Sequence, residues 1–414
     1  MSFSQGISGL AVAASNLDVI GNNIANSGTV GFKASTATFQ DIYAGSRVGL
    51  GASVSGVVQN FGQGVTQTSS RPLDVAILNG DGFFRLTSAS GEVMYSRNGQ
   101  FTKDKDGYIV NASGLRLTGY GVNASGGISG GTPSAIQIPT GAMAPNATTG
   151  VQAEFTIDSR GNPPTKSPFD PTDSDTFNYS NAIGPVYDSL GNPHDLAVYF
   201  VKTGTSATGS TWTVYGTMDG VQIEQPLPAA PGTPLSTLTF DTNGTLTAPA
   251  AGKITLPTLT YTNGAAASNI TVDLSGTTQV GAPNGMNKLA QDGYTSGQIT
   301  SFSINADGTI TGKFSNEQTK LLGQIVLSSF ANPNGLEPKG ENMYAETMAS
   351  GAALTGTPSE GSKLGSLASG ALESSNVDLT SELVNLIIAQ RNYQANAQTL
   401  KTQDQVMQSL MNIR

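Results

Sequence analysis

Phe3, Ile7, Leu10, Ala14, Leu17, Gly21 and Ile24 follow one another by alternating steps of four and three in FSQGISGLAVAASNLDVIGNNIA, residues 3–25. The same steps recur at the other end of the chain. There Leu379, Leu383, Leu386, Gln390, Tyr393, Ala397, Leu400, Asp404, Met407 and Met411 hold the repeat, with Gln390 and Asp404 as polar breaks. This is the spacing of a coiled-coil seam. Almost everything between the two stretches reads as β-structure. Two terminal helices framing a β-rich body suggest a subunit that polymerises through its ends.

Working inward, the first helix is expected over residues 4–25, stopping where Asn26-Ser27-Gly28 supplies a C-terminal cap. The last is expected to begin behind Asp378 as N-cap. Residues 28–71 carry scattered glycines and short β-like runs, which read as an extended connector with some strand. From Leu73 the pattern is β, with a hairpin turning at Asp104-Lys105-Asp106-Gly107 and a second at Asn305-Ala306-Asp307-Gly308. Between them, residues 146–285 shift to Thr, Ala, Gly, Ser and Pro with many short alternating strands, an inserted β-sandwich or barrel. The fold class is therefore α+β and multidomain, a terminal coiled-coil layer with nested all-β domains. The expected layers are 1–27 with 372–414, a connector 28–71 with 360–371, a β-domain 72–145 with 286–359, and the insertion 146–285. Nesting of this kind predicts an elongated subunit with both termini at one end.

Composition narrows the chemistry. The 414 residues include 51 glycines, no cysteine and one histidine, with 12% charged and a net charge of −9. Without a basic run, nucleic acid and anionic membrane are poor partners. No apolar stretch is long enough for a membrane span. The absent cysteines rule out disulfides, thiolate catalysis and Cys-based zinc sites. His194 sits in Asp188-Ser-Leu-Gly-Asn-Pro-His194-Asp195, which reads as a solvated turn. Asp104–Gly107 lacks the third acid and closing glutamate of a calcium loop, and Gly49-Leu-Gly51 lacks the rest of a dinucleotide fingerprint. No acid or base pair proposes catalysis, so neither an enzyme nor a cofactor is expected. The start has no basic segment before an apolar one, so no cleaved signal peptide is expected.

The helical ends could pack on each other as an ordinary two-helix layer. Their seams contain so much Ala and Gly that little apolar area would be buried for the residues ordered. Packing among several copies is the better reading.

At particular residues the chain resembles a known family. Asn26-x-x-Thr29-x-Gly31-Phe32-Lys33 is similar to the N-terminal signature of bacterial flagellar rod and hook proteins. Asn376-x-Asp378 followed by Gln390-Arg391-Asn392-Tyr393 resembles that family's C-terminal signature. Asp81-Gly82-Phe83-Phe84 and Tyr95-Ser96-Arg97-Asn98-Gly99 are similar to its shared β-domain. Distal-rod members lack a large inserted domain and hook members have one, so the resemblance implies the hook branch. A distal-rod or hook-associated subunit is the alternative within the family, and an extracellular adhesin the alternative outside it.

The resemblance implies an extracellular helical homopolymer. Its terminal helices, through Phe3, Ile7, Leu10, Leu17, Ile24, Leu379, Leu383, Leu386, Tyr393, Leu400 and Met407, would line a tube that works as a flexible joint. It also implies export through the flagellar type III apparatus, and contact with a distal rod protein, a hook cap protein and a hook–filament junction protein.

Overall fold

The structure is a computed structural model that describes residues 3–42, 51–123, 125–224 and 232–412. The chain is mostly β-sheet with a helix at each end, α1 over Phe3–Ala25 and α2 over Leu379–Asn412. It divides into two compact units. The first takes residues 1–140, 299–313 and 319–414, and the second 141–298 with 314–318.

In the first unit the body is one large sheet. Its main path runs from Ile299–Ile304 through Thr309–Phe314, Thr319–Ile325 and Arg116–Tyr120, then Phe83–Thr87, Val93–Ser96, Met343–Ala345 and Glu337–Gly340. Alternation places Phe84 and Leu86 with Leu117, Ile310, Ile325 and Leu327 in one apolar core. Phe83, on the opposite face, joins Tyr95, Phe330, Leu336 and Tyr344 in a second core that Phe61 caps edge-on, at 5.5 Å from Phe83. The turn at 104–107 is closed by Asp104, whose Oδ1 accepts from the amides of Asp106 and Tyr108 at 3.0 and 2.7 Å.

Residues 28–71 contain more pairing than composition suggested. Ser35–Asp41 and Ala52–Gln59 form an antiparallel hairpin beside α1, and Thr66–Thr68 pairs with Ala371–Glu373. Residues 360–371, expected as connector, hold Ser366–Ser369 paired along Val75–Leu78. Their partners come from the far end of the chain, which no local pattern can announce.

The second unit is built from two sheets that share a single core. One centres on Gly150–Asp158, which pairs in parallel with Thr271–Asp273 and Thr278–Val280. The other runs Tyr179–Tyr187, Pro193–Ser206, Gly209–Met218, Ser236–Phe240 and Leu246–Ala248. Inward residues of both, among them Phe155, Phe200, Trp212 and Phe240, are sealed from water. Of the sandwich or barrel expected, the two-sheet form is present.

His194 is not a solvated turn residue. It lies near the start of Pro193–Ser206, with Nδ1 2.7 Å from Asp219 Oδ2 and Nε2 3.4 Å from the fully buried Asp188 Oδ2. Tyr261 packs over its ring at 4.5 Å. Burial alone would push the imidazole pKa down, but hydrogen bonds to Asp219 and Asp188 and their charges lift it above the ordinary value. The stabilisation is thus complete below the unfolded pKa and lost as pH rises through the higher folded one. The melting temperature of the second unit is expected to fall as pH rises from about 6 to about 8, and His194→Gln to flatten that slope. An unchanged slope in the variant would place the pH dependence elsewhere.

Candidate assembly layer and its junction with the β-body

α1 and α2 pack on each other in antiparallel register within the chain. Gly6 lies against Leu400, Gly9 against Asn396, and Asn23 Nδ2 donates to Glu382 Oε1 at 3.3 Å. The in-chain face of α1 is therefore Gly6, Gly9, Ala13, Ile20 and Asn23; all but Gly9 are buried, and Gly9 is half-buried. Its small residues are what lets the helices approach. A methyl group on Gly6 would stand 3.3 Å from Leu400 Cγ, and one on Gly9 3.0 Å from Asn396 Oδ1. On α2 the facing set is Glu382, Leu386, Ala389, Asn396 and Leu400, buried or half-buried.

The seam expected from the larger apolar residues lies beside this face. Leu10, Leu17, Ile24, Leu386 and Leu400 are half-buried, while Ile7, Leu379, Leu383, Tyr393 and Met407 are exposed. Phe3 opens α1, and its side chain lies outside the described residues. Val384, Ile387 and Ile388 are also about half in water. Gln390 and Arg391 are exposed as well. The two-helix layer set aside in the sequence reading thus exists, but it occupies only one face of each helix.

The motif residues at the end of α1 are turn and docking residues. Asn26 Oδ1 accepts from Thr29 Oγ1 at 3.1 Å, and Phe32 N donates to Thr29 O, so the helix ends in a closed turn. Gly31 has φ +70°, and a Cβ there would lie 2.7 Å from Asn98 N. Both facts require glycine. Asn23, which the sequence reading missed, bonds Ser35 in both directions while also reaching Glu382. At the other end Asn376 accepts from Ala34 N at 2.8 Å and donates to the carbonyls of Asn60 and Gly62. Asp378 caps α2 as expected, its Oδ1 accepting from Thr380 N at 2.9 Å.

Between these contacts lies a buried charge cluster. Lys33 Nζ donates to Glu373 Oε1 at 2.6 Å and to Gly62 O at 2.8 Å. Arg97 Nη1 is 3.7 Å from Glu373 Oε2, and Arg97 Nη2 donates to Gly80 O. Gly64 N and Gly31 N complete the ring on the Glu373 carboxylate and carbonyl. All three side chains are at most 1% exposed. Burial drives the Lys33 and Arg97 pKa values down, and the Glu373 charge opposes it in both. The segment that leaves α1, the segment that enters α2 and a turn of the large sheet are thus tied at one carboxylate. Lys33 and Arg97 belong to motifs and Glu373 lies three residues before Asn376 of another, yet nothing in their spacing says that they meet.

No helix among the described residues is long and apolar enough to cross a membrane, and none of them form a metal-ligand group.

Four domain families match along the chain. They are the flagella basal body rod protein family at residues 4–33, the flagellar hook protein FlgE/F/G D1 domain at 77–162, the flagellar basal body protein FlaE D2 domain at 156–294, and the flagellar basal body rod FlgEFG protein C-terminal domain at 368–413. The flagellar hook protein FlgE of Salmonella typhimurium is 48% identical over the full length of both chains, and that of Escherichia coli K12 is 47% identical. The crystal structure of Helicobacter pylori flagellar hook protein FlgE2 superposes with a TM-score of 0.53 at 16% identity. It covers 74% of this chain and all of that one, and shows a shared fold. With helices at both ends, the motif contacts that join them to the sheet and full-length identity near one half, this chain belongs to the flagellar hook protein family.

Proposed function

We propose that this chain is the repeating subunit of the hook tube, a curved helical homopolymer that transmits torque from rod to filament as a flexible joint. The observation that carries the reading is the uncovered apolar side of the helical layer. Leu379, Leu383, Val384, Ile387 and Ile388 are each about half exposed on one stretch of α2. A stripe of that size on a helix marks a surface meant for another helix. The faces that α1 and α2 leave open are unlike one another, so copies join head to tail and the assembly stays open-ended.

The layers would then be 1–27 with 372–414 inside, 28–71 with 360–371 as connector, 72–145 with 286–359 outside that, and 146–285 outermost. Sparse charge suits outer β-domains that must slide on their neighbours around a cohesive helical core, since fixed ion pairs resist sliding. A distal rod protein, a hook cap protein and a hook–filament junction protein fit as neighbours of such a tube, with the type III apparatus as its export route.

Electron microscopy of the purified full chain after salting-out with sulfate tests this, because excluded salts strengthen apolar burial. Short curved tubes are the expected product. Dispersed particles at every protein concentration would defeat the proposal.

A further inference from the structure

α1 carries a single charged side chain in its 23 residues, Asp18. It is exposed, and among the described residues no hydrogen bond or ion pair reaches it. By helical spacing it stands opposite the face that meets α2, in line with Ile7, Ala11 and Ala25, which are exposed too. On α2, Arg391 occupies the matching position. It points away from the in-chain face, shares its side with Val384, Ile387 and Ile388, and is likewise exposed and unpaired among the described residues. The two charges lie on opposite outer sides of the helix pair and do not meet within one chain.

We propose that the outward face of α1 packs on the outward face of α2 in a second copy, with Asp18 of one paired to Arg391 of the next. This rests on the polymer reading above and says which surfaces meet. Covering the apolar stripe around Arg391 removes its guanidinium from water, and a desolvated unpaired cation is costly enough to demand an anion. The other α2 acids are already engaged: Glu382 with Asn23, and Asp404 with Gln408. Asp18 is free, and Ala11 and Ala25 beside it are small enough to let a helix come close. The other α2 cation, Lys401, stands about a quarter turn round from Arg391 and about 15 Å along the helix from it. A contact between two different faces uses each face once per copy, which is the geometry of an open chain of subunits.

Charge reversal in the full-length chain tests the pair, read as the critical concentration for polymer in a sedimentation assay. Thermal unfolding of the β-body serves as the control for folding. Asp18→Arg and Arg391→Glu are each expected to raise the critical concentration at least about 100-fold with unfolding unchanged. The double reversal is expected to return it to within about tenfold of the parent, and Asp18→Arg with Lys401→Glu to stay impaired. Single reversals that polymerise like the parent would overturn the pairing. So would a double reversal no better than the singles, or rescue through Lys401. A parent chain that never polymerises would instead remove the reading on which the pair rests.

Discussion

Glu373→Gln is expected to destabilise the first unit by about 3–5 kcal/mol, read as a lowered denaturation midpoint. Among the described residues this carboxylate pairs with both Lys33 and Arg97, all three are sealed from water, and Asp81 adds a smaller attraction on Arg97. Taking its charge away leaves two cations buried together. Arg97 already has Nε and Nη1 without hydrogen-bond partners, and the weaker pull of Asp81 on Arg97 would stand alone against both cations. Lys33→Met is expected to cost clearly less. It leaves a neutral Arg97–Glu373 pair and removes an ammonium whose burial works against its charged form. The order of the two variants is the measurement that matters. Equal losses would mean that the residues act through packing and not through charge.

The period of the terminal helices was legible, and so were the bounds expected for them: α1 starts within a residue of Ser4 and ends at Ala25, and α2 begins directly behind Asp378. The phase was not. Reading by size put the seam on Ile7, Leu10 and Leu17, whereas the chain's own partner takes Gly6, Gly9, Ala13 and Ile20. Small residues bury little area, but they let backbones approach, and hydrophobicity patterns are blind to that term. The larger side chains are left for other surfaces. The strands and turns of the sheet could be read locally, because alternation and Asp-Gly turns are local signals. The pairing of Thr66–Thr68 with Ala371–Glu373 could not, nor could the meeting of Lys33, Arg97 and Glu373, since each depends on segments hundreds of residues apart. His194 misled for the same reason: Asp188 was visible beside it, but Asp219 comes from the turn that follows the next strand, Gly209–Met218.

A chain trimmed to residues 29–377 is expected to stay monomeric under every condition that polymerises the full chain, with the unfolding midpoint of its β-body nearly unchanged. The trimmed form keeps Gly31, Lys33, Arg97, Glu373 and Asn376, and with them the ring of hydrogen bonds that ties the connectors to the sheet. It also keeps both apolar cores of the first unit and the whole of the second. What it loses is α1 and α2, whose contacts with the rest of the chain are mainly with each other and with the neighbouring hairpin. The two helices rest on a Gly- and Ala-rich face, so they add little to the stability of the body. Their uncovered stripe supplies the association, because apolar area buried between copies is the dominant favourable term in assembly. Sedimentation velocity and a urea melt on the same sample separate the two roles. Polymer formed by the trimmed chain would move the assembly surface to the β-domains. A collapse of its melt would make the helices part of the fold and not an addition to it.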